Sequence, residues 1–113
     1  VVPAVMKLIK ENITFLKAVA SLKKDQVKTL LSHVNRNQVL VVTEIARNIL
    51  TGVVTLPRKY KSSLKAYKRV IRELSSNDTT FRTKRYLIYS KADVVSLLVK
   101  SVLSKLVKVV GHG

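Results

Sequence analysis

The sequence predicts an all-α protein, a single domain of 113 residues folded as a compact bundle of five to six short helices. Three observations predict this fold class. Apolar residues, 47% of the chain with tyrosine and alanine included, recur at steps of three and four from Val5 to Val107. Residues that favour helix ends stand between these stretches. The β-branched run at residues 53–56 is too short and too isolated to predict a sheet.

The first 56 residues are expected to form three helices with apolar faces. Pro3 suits the first turn of a helix, and the apolar steps that begin at Val5 carry that helix to about Leu22. Asp25 is placed to cap a second, shorter helix that ends near Val34.

The third of these helices has signals at both ends. Asn35 or Asn37 is placed to cap its first turn. Gly52 follows its last turn, at the position where a left-handed backbone makes glycine favourable. Residues 53–56 then form a connector.

The middle region, residues 57–91, is expected to be helical and basic. Pro57 suits the first turn of its longer helix, whose apolar side chains form one stripe. That stripe consists of Tyr60, Leu64, Tyr67, Ile71 and Leu74. Asp78 or Thr79 is the candidate cap of a short basic helix over residues 80–89.

The last region, residues 92–113, is expected to contain a hydrophobic C-terminal helix. Ser90 and Asp93 have the spacing of a capping box in front of it. The helix itself is predicted over residues 91–110, with valine and leucine around more than half of its circumference.

Positive charge is concentrated in the middle region. The chain carries 22 Lys and Arg against 6 Asp and Glu, a net charge of +16, and residues 57–91 hold 11 of the basic and 2 of the acidic side chains. This excess predicts a polyanionic partner: nucleic acid, an anionic membrane or an acidic protein surface. The candidate polyanion-binding residues are Arg58, Lys59, Lys61, Lys65, Lys68, Arg69, Arg72, Arg82, Lys84, Arg85 and Lys91.

Five of these residues step by three and four and form a second stripe on the helix that begins at Pro57. They are Arg58, Lys61, Lys65, Lys68 and Arg72. On a continuous helix the ends of this stripe would lie roughly 21 Å apart, which could follow a phosphate backbone. The alternative is a solvated lysine-rich face, but such faces usually mix lysine with glutamate, and here Glu73 alone offsets seven basic residues. The pattern therefore favours sequence-independent contact with a nucleic-acid backbone.

The C-terminal helix leaves three alternatives open: a buried central helix, a helix that lies in a membrane interface, and a contact between copies. Eleven residues between 94 and 110 are apolar. We therefore expect the helix to be covered on two sides, by its own bundle and by another copy or a capsid protein. The candidate residues for oligomer or membrane contact are Leu98, Val102 and Leu106. No apolar stretch is long enough to predict a simple membrane span.

The sequence predicts that the protein is not an enzyme. Its six acidic residues are scattered, and His33 and His112 have neither a nearby acid nor a metal-ligand spacing. Cysteine and a glycine-rich phosphate loop are both absent from the sequence. No cofactor and no metal are therefore expected.

The four tyrosines divide into two pairs. Tyr60 and Tyr67 lie on the apolar stripe, which favours packing in the core. Tyr86 and Tyr89 flank two apolar residues in the basic helix, and their pattern leaves packing and base stacking both open.

The stretch from Glu44 to Lys91 contains several features in a particular order. EIARNIL is followed by a TG turn, then LP, then a helix with K-x-Y-K-x-x-I-R-x-L-S-S, then a basic K-R-x-L-x-x-x-K run. This order resembles the small basic proteins encoded by adintoviruses and by Polinton/Maverick elements, which are large DNA viruses and virus-like transposons. The resemblance covers about half of the chain, and residues 92–110 continue it in hydrophobic character. Where that family commonly has two glycines after the basic run, this chain has Ala92 and Asp93.

Such proteins are similar in character to the small basic core proteins of adenoviruses. The resemblance implies a structural protein inside or under a DNA-virus capsid, found in the virion and, during assembly, in the host nucleus. The implied partners are packaged DNA, bound without sequence preference, and capsid protein, with self-association. Residues 109–113, VVGHG, are close to the site cut by adenovirus-type proteases. Two other functions stay open: a membrane-active entry protein that acts through its C-terminal helix, and a host-type nucleic-acid-binding module.

Overall fold

All regular structure in the described part of the chain is helical, so the prediction of an all-α fold is confirmed. The computed structural model describes residues 3–52 and 58–110. Within them, eight helical segments follow one another: α1 Pro3–Glu11, α2 Ile13–Ser21, α3 Lys24–Leu31, α4 Arg36–Leu50, α5 Arg58–Lys65, α6 Lys68–Ser75, α7 Phe81–Ser90 and α8 Ala92–Val110. The expected number of five to six is too low because two of the predicted helices are each divided in two.

The first division lies at Asn12, between α1 and α2. The backbone of Asn12 has φ −112° and ψ 19°, outside the helical values. Its side-chain Nδ2 donates a hydrogen bond of 2.9 Å to the carbonyl of Leu8, which is the kind of local bond by which asparagine competes with helix geometry. The apolar pattern continues across the division, since Ile9 and Leu16 are both fully buried.

The second division separates α5 from α6 at Ala66 and Tyr67. Tyr67 has φ −105° and ψ 16°, and the Ala66 N–H bonds the Ser63 carbonyl in a tighter turn at 3.3 Å. As expected, the ring of Tyr67 is half-buried against the core. The side chain of Tyr60 lies outside the described residues.

Helix α4 begins and ends where the sequence predicts. Asn35 is its N-cap: Asn35 Oδ1 accepts the N–H of Gln38, and Gln38 Oε1 accepts the N–H of Asn35, both at 2.9 Å. Gly52 follows the C-cap Thr51 with φ 77°, in the left-handed region that favours glycine. The predicted connector and the helix-starting Pro57 lie in residues 53–57, outside the described part.

The other predicted caps are displaced. Lys23 precedes α3 and donates its N–H to Gln26 Oε1 at 3.1 Å. Thr80, rather than one of the two residues before it, caps α7 by accepting the N–H of Thr83 at 3.2 Å. Ser90 belongs to the last turn of α7, so the predicted capping box in front of α8 does not form. Each displacement is small, because these helices begin within one or two residues of the predicted positions.

Helix α8 is the central helix of the bundle. It contacts α2, α3, α4, α5 and α7, while α6 packs mainly on α4. Within residues 92–105, the part of α8 whose side chains are described, the buried ones are Val94, Val95, Leu98, Val99, Ser101 and Val102. A helix with neighbours on several sides is apolar around most of its circumference, which explains the wide apolar face. None of the described helices combines the length and the apolar character needed to cross a membrane.

Candidate nucleic-acid interface

The basic residues of the middle region lie on and beside α5, α6 and α7. The side chains of ten of the eleven candidate binding residues are described, and nine of these ten are exposed. The nine, called the basic surface below, are Arg58, Lys59, Lys65, Lys68, Arg69, Arg72, Arg82, Arg85 and Lys91. Helices α6 and α7 are in direct contact, so part of this charge lies on neighbouring helices. The side chain of Lys61 lies outside the described residues.

Little negative charge offsets the basic surface. Together α5, α6 and α7 contain ten basic residues and one acidic residue, Glu73. Arg69 Nε lies 3.8 Å from Glu73 Oε1, and both side chains are well exposed to solvent. An ion pair in this environment is weak, so it removes little of the positive potential. The three helices therefore carry a strong excess of positive charge, which is the kind of surface that favours a polyanionic partner.

The division between α5 and α6 changes the predicted basic stripe. Arg58 and Lys65 lie on α5, separated by about 10 Å of helix, and Lys68 and Arg72 lie on α6, separated by about 6 Å. The single straight row of roughly 21 Å is therefore wrong. Two shorter rows, joined at Ala66 and Tyr67, take its place.

Lys84 lies apart from the basic surface. Its side chain is only 8% exposed because it occupies the buried stripe of α7 between Phe81 and Ile88. Burial lowers the pKa of the Lys84 ammonium below its ordinary value, nearby Arg47 lowers it further, and Glu44 opposes the shift. The structure thus corrects the assignment of Lys84 to polyanion contact. The spacing of three and four that this lysine shares with its apolar neighbours is the sequence signal that indicates its burial.

Arg47, on the apolar helix α4, forms hydrogen bonds to the C-terminal end of the basic helix α6 and to a residue just after it. Its Nη1 donates to Glu44 Oε1 at 2.6 Å, and its Nη2 donates to the carbonyl of Ser75 at 2.8 Å and to Asn77 Oδ1 at 2.7 Å. Charge-assisted bonds of this kind are the stronger ones in proteins. Sequence reasoning missed this residue because its partners on α6 and beyond lie 28 and 30 positions away.

Helix α7 also presents two exposed aromatic rings. Tyr86 is 66% and Tyr89 is 40% exposed. With Arg82 and Arg85 they border a shallow groove of about 250 Å³ between α3 and α7. Lys28 Nζ, on α3, lies 5.2 Å from the ring centroid of Tyr89. Of the two alternatives for these tyrosines, the structure excludes full burial in the core.

Two of the three candidate contact residues of α8 are already covered by the bundle. Leu98 is 0% and Val102 is 2% exposed, and the side chain of Leu106 lies outside the described residues. The expectation that Leu98 and Val102 contact another copy or a bilayer is therefore corrected, because the helices around α8 cover these two side chains. Self-association of the protein stays a prediction.

Among the described residues, no group of three or more His, Cys, Asp or Glu side chains could hold a metal ion. No family model, no curated protein and no solved structure matches this chain. The resemblance to the adintovirus and Polinton/Maverick proteins stays a hypothesis, and the basic surface is the feature from which a function can be inferred.

Proposed function

We propose that the protein is a non-enzymatic structural component of a DNA-virus particle and binds packaged DNA through its basic surface without sequence preference. The observation that carries the proposal is the set of nine exposed cations on and beside three helices that contain one acidic residue. Lysine and arginine that contact phosphates release counterions from DNA and do not read the bases. The sequence resemblance supports the viral setting and adds the inner capsid surface as a second partner.

The burial of α8 favours DNA binding over the membrane-active alternative. A helix that lies in a bilayer interface must present an apolar face to lipid. In the bundle, five apolar side chains between Val94 and Val102 already pack against other helices. Membrane insertion of α8 would therefore require the core to open, which costs the free energy of unfolding.

Charge reversal tests the DNA-binding part of the proposal. The variant changes four exposed residues of the basic surface to Glu: Arg58, Lys65, Lys68 and Arg72. A matched control makes the same charge change at four exposed lysines elsewhere: Lys7, Lys10, Lys17 and Lys24. Duplex affinity is measured by fluorescence anisotropy over a range of salt concentrations, and circular dichroism checks that both variants stay helical.

We expect the logarithm of wild-type affinity to fall linearly with the logarithm of salt concentration. Every phosphate that the protein no longer neutralises reduces this slope by about one. The slope of the basic-surface variant should therefore fall by up to about four, and this variant should bind far more weakly than the control. Equal losses in both variants would show that net charge alone drives binding. A preference of more than about tenfold between duplex sequences would contradict backbone contact.

The viral part of the proposal has its own test. The host-type alternative needs the same basic surface and differs only in where the protein occurs. Mass spectrometry of purified virus particles should find the chain at a constant copy number per genome. Its absence from particles, with DNA binding intact, would favour the host-type module.

A further inference from the structure

We infer that the exposed face of α7 binds unpaired bases of single-stranded DNA by stacking them on Tyr86 and Tyr89. The inference deepens the proposed function and rests on it, because the same protein must first attract DNA through its charge. The basic surface explains the proposed phosphate contact but does not include these two rings.

The two rings stand on one face of the helix. Tyr86 and Tyr89 are three positions apart, so their side chains lie on neighbouring turns of the same side. The opposite side of α7 is the one that packs, since Ile88 is fully buried and Leu87 is half-buried against the core. Tyr86 is exposed over 66% and Tyr89 over 40% of its surface, so a ligand can reach both rings from solvent.

Cations stand beside the rings. Arg82 and Arg85 line the same groove, and Lys28 approaches the ring of Tyr89 from α3. None of the described lining residues is acidic; the remaining two are Leu31 and Ser32. Proteins that hold single strands combine these two elements, a positive groove for the backbone and aromatic rings for the bases.

A single strand fits this face better than a duplex. Base pairs in a duplex stack on one another, so their flat faces are covered and only their edges reach the grooves. A tyrosine ring can stack only on a base that has left the helix or never belonged to one, and extrusion from a duplex costs unstacking energy. An unpaired strand offers its bases without that cost.

The test compares two double variants on two forms of one DNA. The variant Tyr86→Ala with Tyr89→Ala removes both rings, and Tyr86→Phe with Tyr89→Phe keeps the rings and removes only the hydroxyls. Both leave the charge of the chain unchanged. The probes are a fluorescein-labelled single strand of about 15 nucleotides, within the usual site size, and the same strand annealed to its complement. Affinities are measured by anisotropy with the full chain.

We expect the alanine variant to lose at least roughly tenfold in affinity for the single strand, since stacking on each ring contributes measurably to such complexes. Its affinity for the duplex should stay within about threefold of wild type. The phenylalanine variant should bind both forms as wild type does. The protein has no tryptophan, so its tyrosine emission should also fall when the single strand binds.

Three outcomes would overturn the inference. If the alanine variant binds the single strand as tightly as wild type, the rings do not stack on bases, while DNA binding itself stands. If the variant keeps single-strand affinity but loses self-association in sedimentation experiments, the face contacts protein instead. If wild type binds neither form of DNA, the proposed function fails together with the inference.

Discussion

The apolar helices α4 and α8 and the basic helices α6 and α7 belong to the same bundle. They differ in the share of their side chains that is buried in the core. Helix α4 buries seven of its 15 residues, whereas α6 buries three of 8 and α7 buries two of 10. A narrow buried stripe is therefore enough to dock α6 and α7. Half-buried side chains such as Val70, Phe81 and Leu87 add to this packing, and the remaining, exposed positions can carry charge. The comparison indicates that the residues that stabilise the fold differ from those of the proposed DNA contact, so we expect that the two can be changed separately.

The largest effect is expected in the core. Leu98→Ala removes a fully buried side chain from the central helix, and the cavity should lower the free energy of unfolding by about 2–5 kcal/mol. Urea denaturation measures the change. The control is Leu40→Ala on the exposed side of α4, for which we expect a change within about 0.5 kcal/mol. The DNA affinity of the folded fraction should stay constant in both. Equal effects of the two substitutions would mean that α8 is not a core helix.

An intermediate effect is expected where the two regions meet. Arg47→Ala removes the side chain that bonds Glu44, Ser75 and Asn77, and should cost about 1.5–3 kcal/mol of stability. Arg69→Ala, the matched change in an exposed ion pair, should cost less than about 1 kcal/mol. DNA affinity should follow the reverse order, with the larger loss in Arg69→Ala. Urea denaturation measures the stability of the two variants, and anisotropy measures their DNA affinity. If Arg47→Ala loses more of both, the prediction is wrong.

The smallest effect concerns the buried lysine of α7. Lys84→Met keeps the length of the buried stem and removes the ammonium, whose pKa burial lowers, so we expect a small gain in stability at neutral pH, below about 1 kcal/mol. The gain should shrink as pH rises. Because the pKa of Lys84 in the folded protein lies below its ordinary 10.5, the unfolded chain binds more protons between these two values, and wild-type stability rises with pH there.

Urea midpoints of wild type and Lys84→Met at pH 7 and near pH 10 measure this trend. A gain that grows with pH would contradict the assigned direction of the shift. Duplex affinity should be the same for both proteins, because Lys84 lies outside the basic surface. A clear loss of duplex affinity in Lys84→Met would instead indicate that Lys84 takes part in the proposed DNA contact.

Local signals predicted much of the fold. The helical class and the limits of α4 depend on side chains within a few positions of one another, such as Asn35 with Gln38, and on the left-handed backbone at Gly52. The positive character of residues 57–91 likewise follows from their composition. Each of these features can be predicted without knowing which helices pack against each other.

The features that sequence reasoning missed depend on the tertiary fold. The helices are divided at Asn12 and Tyr67, but apolar residues continue at steps of three and four on both sides of each division. The spacing of apolar residues therefore could not reveal these divisions. Lys84 can lie in the interior because its long aliphatic stem packs like an apolar side chain. The environment of α8 depends on how many helices surround it, which no local pattern reveals.

The central position of α8 has a consequence for how the protein is made. Every helix that packs on α8 precedes it in the chain, and Ser96, which donates to the carbonyl of Val19 at 3.4 Å, is translated 77 residues after that valine. At ribosomal speeds this interval lasts roughly 4–15 s. During it the apolar faces of the earlier helices that pack on α8 lack their partner. The bundle therefore cannot close before α8 has been synthesised.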